Sequence, residues 1–148
     1  MRYFTIKEMT ASSEARRMGI DNTPTPEVVE NLTRLVERVL DPLRSRYGHP
    51  VIVNSGYRCP RLNKAVGGTE TSQHVSGDAA DIYVPDAKGR AELFSIIMSI
   101  LPFDQLIWER GTDEAPAWIH VSYRKNNNRR EILRYDGKRY RQYTPKRR

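Results

Sequence analysis

The chain has 148 residues, the usual length of one domain, and 38% of them are apolar, which is enough for one modest core. No apolar run approaches the roughly 18 residues of a membrane span, and the first residues lack the pattern of a secretory signal peptide. We therefore expect a protein that is made and folded in the cytoplasm. Its single cysteine, Cys59, excludes an internal disulfide framework and a multi-cysteine zinc cluster, and it is expected to be a buried thiol.

The net charge of +7 is unevenly distributed along the chain. From residue 121 to the end, eleven Lys or Arg stand against two acidic residues, so this segment carries +9 and the rest carries −2. The basic character therefore belongs to the C-terminal segment alone, and a functional site is expected in a nearly neutral body.

The first half of the chain is dominated by one helical pattern. Thr25 is a suitable N-cap, Pro26 takes the first helical position, and apolar residues then recur at helical spacing over several turns. Pro42 should kink or end this helix. Residues 51–55 then predict a short β-branched strand, and residues 59–68 predict a short helix ended by glycines.

The second half predicts one further helix and a series of strands. Residues 86–101 have helical periodicity, and Asp136-Gly137 is a strong hairpin signal. The strands are short segments separated by turn residues, at 78–85, 103–109, 117–123, 130–135 and 138–143. We predict an α+β fold in a single domain, with helices packed on a small antiparallel sheet.

The segment "SQHVSGDAADIYVP" carries a histidine and a carboxylate separated by small residues. His74 and Asp81 can converge if the chain turns at Gly77 before the strand begins. A catalytic zinc site takes three ligands from His, Asp or Glu and leaves a fourth position open for water. His74 and Asp81 could supply two of the three.

The third ligand has to come from elsewhere in the chain. Of the two other histidines, His49 lies beside a helix end, whereas His120 lies in an apolar strand where an unpaired imidazole would be unfavourable. His120 is the better candidate. Spacing alone leaves the alternative open that His120 is a hydrogen-bonded core residue and Asp81 a turn or cap residue.

Three motifs extend this argument: "SGYRCPRLNKAVGG", "SQHVSGDAADI" and "WIHVSY" occur in this order. Together they resemble the zinc peptidases that cleave bacterial cell-wall stem peptides, the D-alanyl-D-alanine carboxypeptidase and L-alanyl-D-glutamate endopeptidase family, which includes phage endolysins. The most specific match is His-x-x-Gly-x-Ala-x-Asp at residues 74–81. The resemblance implies Zn²⁺ bound by His74, Asp81 and His120, and an α+β fold shared with the hedgehog signalling domain.

The resemblance runs from about Tyr3 to Tyr123 and does not reach the basic end of the chain. We expect residues 1–123 to form the zinc peptidase domain. Residues 124–148 are expected to form a basic hairpin and tail that belong to the same domain.

The implied reaction is amide hydrolysis, which needs a base that takes a proton from water. Relatives often place an acidic residue three positions before the last histidine, but Ala117 occupies that position here. We predict that Glu109 is the base, because it can face residue 117 or 118 across the hairpin. Glu114 and Asp113 in the turn are alternatives, and Glu109 could instead be a solvated carboxylate at a hairpin end.

The motif "SGYR" supplies a candidate for substrate binding. The planar fork of Arg58 suits a bidentate hold on a peptide carboxylate, and the family uses an arginine here in that way. Asn63 and Ser72 match positions that hydrogen-bond substrate in the endopeptidase branch. Cys59 as a nucleophile is disfavoured because no residue nearby would orient a partner for it. Three aromatic residues are expected in the core or the pocket wall: Tyr57, Trp118 and Tyr123.

These observations predict a zinc peptidase of peptidoglycan stem peptides, associated with a phage or prophage, monomeric, and acting on the wall after release or delivery. A zinc-binding module without catalysis is a second possibility, which Ala117 keeps open. A nucleic-acid-binding protein is a third, suggested by "RYDGKRYRQY". It is disfavoured because the same basic tail could bind anionic wall polymers or simply be solvated.

Overall fold

The computed structural model describes residues 1–145. Lys146, Arg147 and Arg148, which belong to the predicted basic tail, lie outside the described residues. The helices are α1 (Ile6–Thr10), α2 (Ser13–Met18), α3 (Pro26–Leu35), α4 (Asp41–Tyr47), α5 (Pro60–Ala65), α6 (Gln73–Ser76) and α7 (Ala87–Ile100). The strands are β1 (Ile52–Ser55), β2 (Ala79–Tyr83), β3 (Gln105–Glu109), β4 (Trp118–Ser122), β5 (Glu131–Tyr135) and β6 (Tyr140–Gln142).

The long helical pattern is continuous but irregular. The Thr25 hydroxyl accepts a hydrogen bond from the backbone N–H of Val28, and Pro26 opens α3, as predicted. A π-helical turn, Val36–Leu40, joins α3 to α4. Pro42 removes one backbone donor, and a π-turn just before it is a common way for a helix to absorb such a loss. Of the two outcomes predicted at Pro42, a kink or an end, the helix does not end there: it continues to Tyr47 after the irregular π-turn.

The six strands form one sheet in the order β1-β2-β4-β3-β5-β6. Four of the five pairings are antiparallel, and β3 pairs with β5 in parallel. This parallel pair departs from the predicted antiparallel sheet. Because β4 ends beside the start of β3, the loop of residues 123–130 only has to pass round that end before β5 runs alongside β3.

The two faces of the sheet have different roles. On one face, β-strand residues such as Ile82, Trp108 and Ile119 are buried in the core with apolar residues of α3, α4 and α7. The other face carries the alternate residues, including Asp81 and His120, as the two-residue period of a strand requires. The helices thus cover one face and leave the other open for a site, which confirms the predicted α+β fold. Within residues 1–145, no helix is both long and apolar enough to cross a membrane.

Candidate metal centre

His74 lies on α6, a four-residue helix that the sequence pattern did not predict. The hydroxyl of Ser72 caps this helix by accepting from the backbone N–H of His74. Gly77 ends it with a left-handed backbone at φ 80°. A Cβ at Gly77 would also stand 3.0 Å from the carbonyl oxygen of Val28, so glycine is required both for the conformation and for the space. The turn predicted at Gly77 is therefore present.

The ring of His74 is oriented by a backbone carbonyl. Its Nδ1 lies 2.7 Å from the carbonyl oxygen of Gly56, and because a carbonyl only accepts, Nδ1 is the protonated nitrogen. Nε2 is left facing Asp81, whose Oδ2 is 3.4 Å away. Position 56 has to be glycine because a Cβ there would clash with the backbone carbonyl of Met9. A metal-ligating histidine is usually held in this way.

Asp81 and His120 face each other across a direct antiparallel pair of β2 and β4. Nδ1 of His120 lies 3.0 Å from Oδ1 of Asp81. Burial alone would raise the pKa of Asp81, but the two imidazoles, His74 and His120, hold it well below its ordinary value. The aspartate is therefore an anion that two nitrogen ligands flank.

Among the described residues, these three side chains form a group that could hold a metal ion. Each offers one ligand atom, and these atoms lie within 4.8 Å of one another. Two nitrogens and one carboxylate oxygen, all little exposed, are a donor set that suits a catalytic zinc ion. His49 is exposed and packs against Tyr47 instead. The three predicted ligands are brought together, and the remaining histidine, His49, lies apart from them.

Glu109 lies in the same cleft, as the hairpin argument predicted. It is paired with Trp118 across β3 and β4, and its backbone carbonyl accepts from the N–H of Ala117 at 2.9 Å. Its residue exposure is 8%. Burial, followed by the nearby charge of Asp81, raises the pKa of Glu109 to about 7, against the opposing influence of His120 and Arg110. A buried carboxylate with such a pKa is suited to proton transfer near neutral pH.

The two alternative carboxylates are placed differently. Asp113 and Glu114 are exposed in the turn between β3 and β4, and neither lines the cleft that contains the metal ligands. Asp113 accepts a hydrogen bond from Arg134 at 2.6 Å. The geometry therefore favours Glu109 over both.

Arg58 and Ser72 lie on the wall of the cleft nearest to β1. One terminal nitrogen of Arg58 donates to the Ser72 hydroxyl at 3.2 Å, and the Arg58 backbone N–H donates to the carbonyl of His74. The Nε–H of Arg58 is buried and has no partner within the described part of the chain. Desolvation lowers the pKa of Arg58, and Asp81 opposes this effect. A buried unpaired donor on a cation is a site for an anionic group.

Asn63 is buried behind this wall rather than on it. Its amide nitrogen donates to the carbonyl oxygen of Thr69 at 2.8 Å, and Asn63 is absent from the lining of the cleft, whereas Thr69 is part of it. Direct contact with substrate, as the sequence suggested, would need a movement of the loop. The side chain holds that loop in place.

The other singled-out residues have structural positions. Tyr57 is in the core, Tyr123 packs against it, and Trp118 lines the cleft, as expected. Cys59 is half-buried and not fully buried as predicted; it stands at the N-terminus of α5, where its sulfur caps the helix by accepting from the backbone N–H of Leu62.

Sequence reasoning missed the buried Asp104. Its carboxylate accepts from the backbone N–H and the guanidinium of Arg129 and from the amide of Gln73, the residue before His74. It thereby ties α6 to the loop of residues 123–130. The available signal was a charged residue at the start of an apolar strand, which is rarely buried unless it is paired.

A cleft of about 890 Å³ joins these groups, with the His-Asp-His set, Glu109 and Arg58 along it. An α+β fold with such a metal-binding set open to a cleft points to the metallopeptidase class. A family model for peptidase M15 matches residues 2–122, and the chain belongs to that family. Membership confirms the resemblance seen in the motifs and supports zinc-dependent peptidase activity on peptidoglycan in general. No curated protein was found to match the chain.

Proposed function

We propose that the protein is a zinc peptidase that hydrolyses an amide bond in peptidoglycan stem peptides, of the D-Ala-D-Ala carboxypeptidase or L-Ala-D-Glu endopeptidase type. The observation that carries the proposal is the set of three ligand atoms within 4.8 Å of one another, in one cleft with Glu109 and Arg58. Each group needed for amide hydrolysis has one candidate in this cleft.

His74 Nε2, a carboxylate oxygen of Asp81 and a ring nitrogen of His120 would hold the zinc ion. When bound, zinc supplies a Lewis acid that polarises a carbonyl oxygen and acidifies water. The protein's own contribution is the orientation of the ligands by the Gly56 carbonyl and by the β2–β4 register.

Glu109 is proposed as the general base. It would replace the acidic residue that relatives often carry at the position of Ala117. Its carboxylate takes a proton from water and passes it to the leaving amine. The pKa near 7 supports this role because the group can hold and release a proton at neutral pH.

Arg58 is proposed to bind a carboxylate of the substrate through its fork. Ser72, which accepts from one arm of that fork, fixes the guanidinium and takes part in the same subsite. Asn63 is proposed to act on substrate binding by holding the loop at Thr69. The stem peptide would then enter with its carboxylate beside the loop of residues 67–72.

The wider setting follows from the substrate. Peptidoglycan lies outside the membrane, so we propose action on the wall after release or delivery, as in a phage or prophage system, by a monomer. The basic residues of the C-terminal segment would help by attracting anionic wall polymers.

A second candidate function is a zinc-binding wall or assembly module without catalysis. Ala117 favours this module, because an alanine stands where relatives often carry the acidic residue. The two candidates differ in whether Glu109 replaces that base.

Digestion of purified peptidoglycan, followed by mass spectrometry of the muropeptides, tests the proposal. We expect new peptide termini that name the bond, that disappear with a chelator and that return when zinc is added. His49→Ala, at an exposed histidine outside the cleft, should behave like the unmodified protein. If the zinc-loaded protein cut no peptidoglycan chemotype, the peptidase proposal would be contradicted, and the zinc-binding module without catalysis would remain.

A further inference from the structure

The strand register aligns four side chains in one row across the sheet. Trp118 on β4 pairs with Glu109 on β3, Glu109 pairs with Tyr135 on β5, and Tyr135 pairs with Tyr140 on β6. Directly paired residues on neighbouring strands point to the same face. The proposed base is therefore flanked by Trp118 and Tyr135, and Tyr140 lies one strand further out in the C-terminal hairpin of residues 131–142.

This hairpin lies beyond residues 2–122, the part of the chain that the family model matches. It is nevertheless part of the cleft, because Leu133, Tyr135 and Tyr140 all line it. The match to the family therefore covers the metal ligands and Glu109 but says nothing about this wall.

The order of the strands gives the cleft a direction. Arg58 follows β1 at one edge of the sheet, the ligands Asp81 and His120 lie on β2 and β4, and the hairpin forms the other edge. Neighbouring strands are about 4.8 Å apart, so β5 and β6 lie about 10 and 14 Å from β4. A substrate held by Arg58 at one end would extend over β3 towards the tyrosines.

The hairpin offers aromatic ring faces at that end. The rings of Tyr135 and Tyr140 have their centroids 4.3 Å apart at an angle of 31°, and Tyr140 is 59% exposed. The guanidinium of Arg110 lies 5.6 Å from the Tyr135 ring and 5.7 Å from the Trp118 ring. These contacts brace Tyr135 and Trp118 and leave Tyr140 open to the cleft.

The chemistry of the substrate suggests what occupies this wall. In a stem peptide, the first alanine is joined through a lactyl group to N-acetylmuramic acid. One extended residue spans about 3.5 Å, so alanine and the lactyl group together cover roughly 7 to 8 Å from the carbonyl that is cut. If the bond after this alanine lies at the metal ligands, the sugar ring begins at that distance and covers about one further strand spacing, so it lies over β5 and extends towards β6. The C–H face of a pyranose packs well against an aromatic ring, and its hydroxyl and acetamido groups can bond a phenol.

We propose that Tyr140, backed by Tyr135, forms a subsite for the N-acetylmuramyl sugar of a glycan-linked stem peptide. This inference rests on the proposed function. The inference also selects which bond is cut, namely the bond between the first and second residues of the stem. If the cut bond were four residues from the sugar, the sugar ring would lie beyond β6. The protein then prefers peptides that are still attached to glycan.

Two substrates with the same tetrapeptide test the subsite, one linked to the disaccharide and one without sugar. We expect the zinc-loaded protein to cut the linked substrate with a kcat/KM about tenfold higher, the scale of a good aromatic contact. Tyr140→Ala should remove most of this preference through KM, and Tyr140→Phe should keep it. Arg141→Ala is a matched control, because Arg141 neighbours Tyr140 on β6 but points to the opposite face.

Equal rates of the unmodified protein on both substrates would overturn the subsite, as would an equal loss on both in Tyr140→Ala with an unchanged Tm. If neither substrate is cut, the proposed function fails and the subsite is judged by binding. Calorimetry with N-acetylmuramyl-L-alanyl-D-isoglutamine should then give a Kd several-fold weaker for Tyr140→Ala than for Tyr140→Phe. The same Kd for both variants would contradict the subsite independently of catalysis.

Discussion

The two ends of the cleft are held in different ways. At the metal end, the Gly56 carbonyl orients His74, and the β2–β4 register places Asp81 opposite His120. At the hairpin end, Tyr140 is mostly exposed and is held by its contact with Tyr135. Backbone pairing places the residues at both ends, but hydrogen bonds also hold the buried side chains at the metal end, whereas the exposed ring of Tyr140 rests on Tyr135. Substitutions at the hairpin end can therefore change substrate selection with little effect on folding.

Glu109 lies where the two ends meet. Its strand β3 has β4 on one side and β5 on the other, so the side chain is covered by Trp118 from within the family match and by Tyr135 from outside it. Without β5, the base would stand on an edge strand. The hairpin thus bears on the proposed chemistry as well as on selection, and the substitutions below separate these contributions.

Removal of a metal ligand should have the largest effect. His120→Ala leaves two ligands, so we expect loss of bound zinc and of all measurable peptidase activity. Elemental analysis of the purified protein measures the bound zinc, and the release of muropeptides measures the peptidase activity. His49→Ala should keep one zinc per chain. A full equivalent of zinc in His120→Ala would show that another residue is the third ligand.

Replacement of the proposed base should have the next largest effect. Glu109→Gln keeps the shape of the side chain, so folding and zinc content should be unchanged while the rate falls about 100-fold or more. Asp113→Asn, in the exposed turn, is the matched control and should retain its rate. Full activity of Glu109→Gln would mean that another group takes the proton.

The pH dependence sharpens this test. A base works only when it is deprotonated, so the rate should fall as the pH drops through the pKa of Glu109. Because burial raises that pKa, the acid limb of the pH–rate profile should lie above the ordinary glutamate value of about 4.3. The residual rate of Glu109→Gln should lack this limb. If the acid limb persisted unchanged in Glu109→Gln, a group other than Glu109 would be responsible for it.

Arg58→Lys should have a smaller effect, because it keeps the charge and loses only the bidentate geometry. We expect kcat/KM to fall about 10- to 100-fold, the scale of a charged hydrogen bond, with zinc content unchanged. Arg61→Lys, on the exposed side of the following helix, serves as control. An unaltered rate on muropeptides would remove Arg58 from the proposed mechanism.

The sequence predicted those parts of the molecule that depend on local pattern. The pattern of short apolar segments separated by turn residues predicted the strands that carry Asp81, Glu109 and His120. The hairpin predicted that Glu109 faces residue 117 or 118, and Trp118 is its partner. Local pattern could not predict the β3–β5 pair, which depends on how the chain passes round the end of β3. Nor could it predict α6, because four residues are too few to show a helical period.

The contacts of Asp104 were also beyond the sequence, since they join residues far apart in the chain. Asp104 connects the two ends of the cleft. It holds α6, which carries His74, to the loop that leads into β5. Burial alone would raise the pKa of Asp104, but the hydrogen bonds from Arg129 and Gln73 hold it below its ordinary value. The carboxylate is therefore stabilised as an anion in the folded protein.

The smallest effect we predict is that of Arg129→Ala, which removes the two guanidinium hydrogen bonds to Asp104 and leaves those from the Arg129 backbone and Gln73. Because Arg129 is half exposed, the loss of stability should be only about 1 to 2 kcal/mol, and zinc content should be unchanged.

The sign of the pH dependence distinguishes this loss from a packing defect. A carboxylate whose pKa is lowered by folding stabilises the protein above its unfolded pKa, about 3.9, and loses this contribution as the pH falls below that value. The difference in free energy of unfolding between the unmodified protein and Arg129→Ala should thus be constant from about pH 5 to 8 and shrink below about pH 4. Denaturant titrations at several pH values measure it, with Lys125→Ala, at an exposed position in the same loop, as control. A difference that stays the same at low pH would mean that Arg129 stabilises the loop through packing of its aliphatic stem rather than through Asp104.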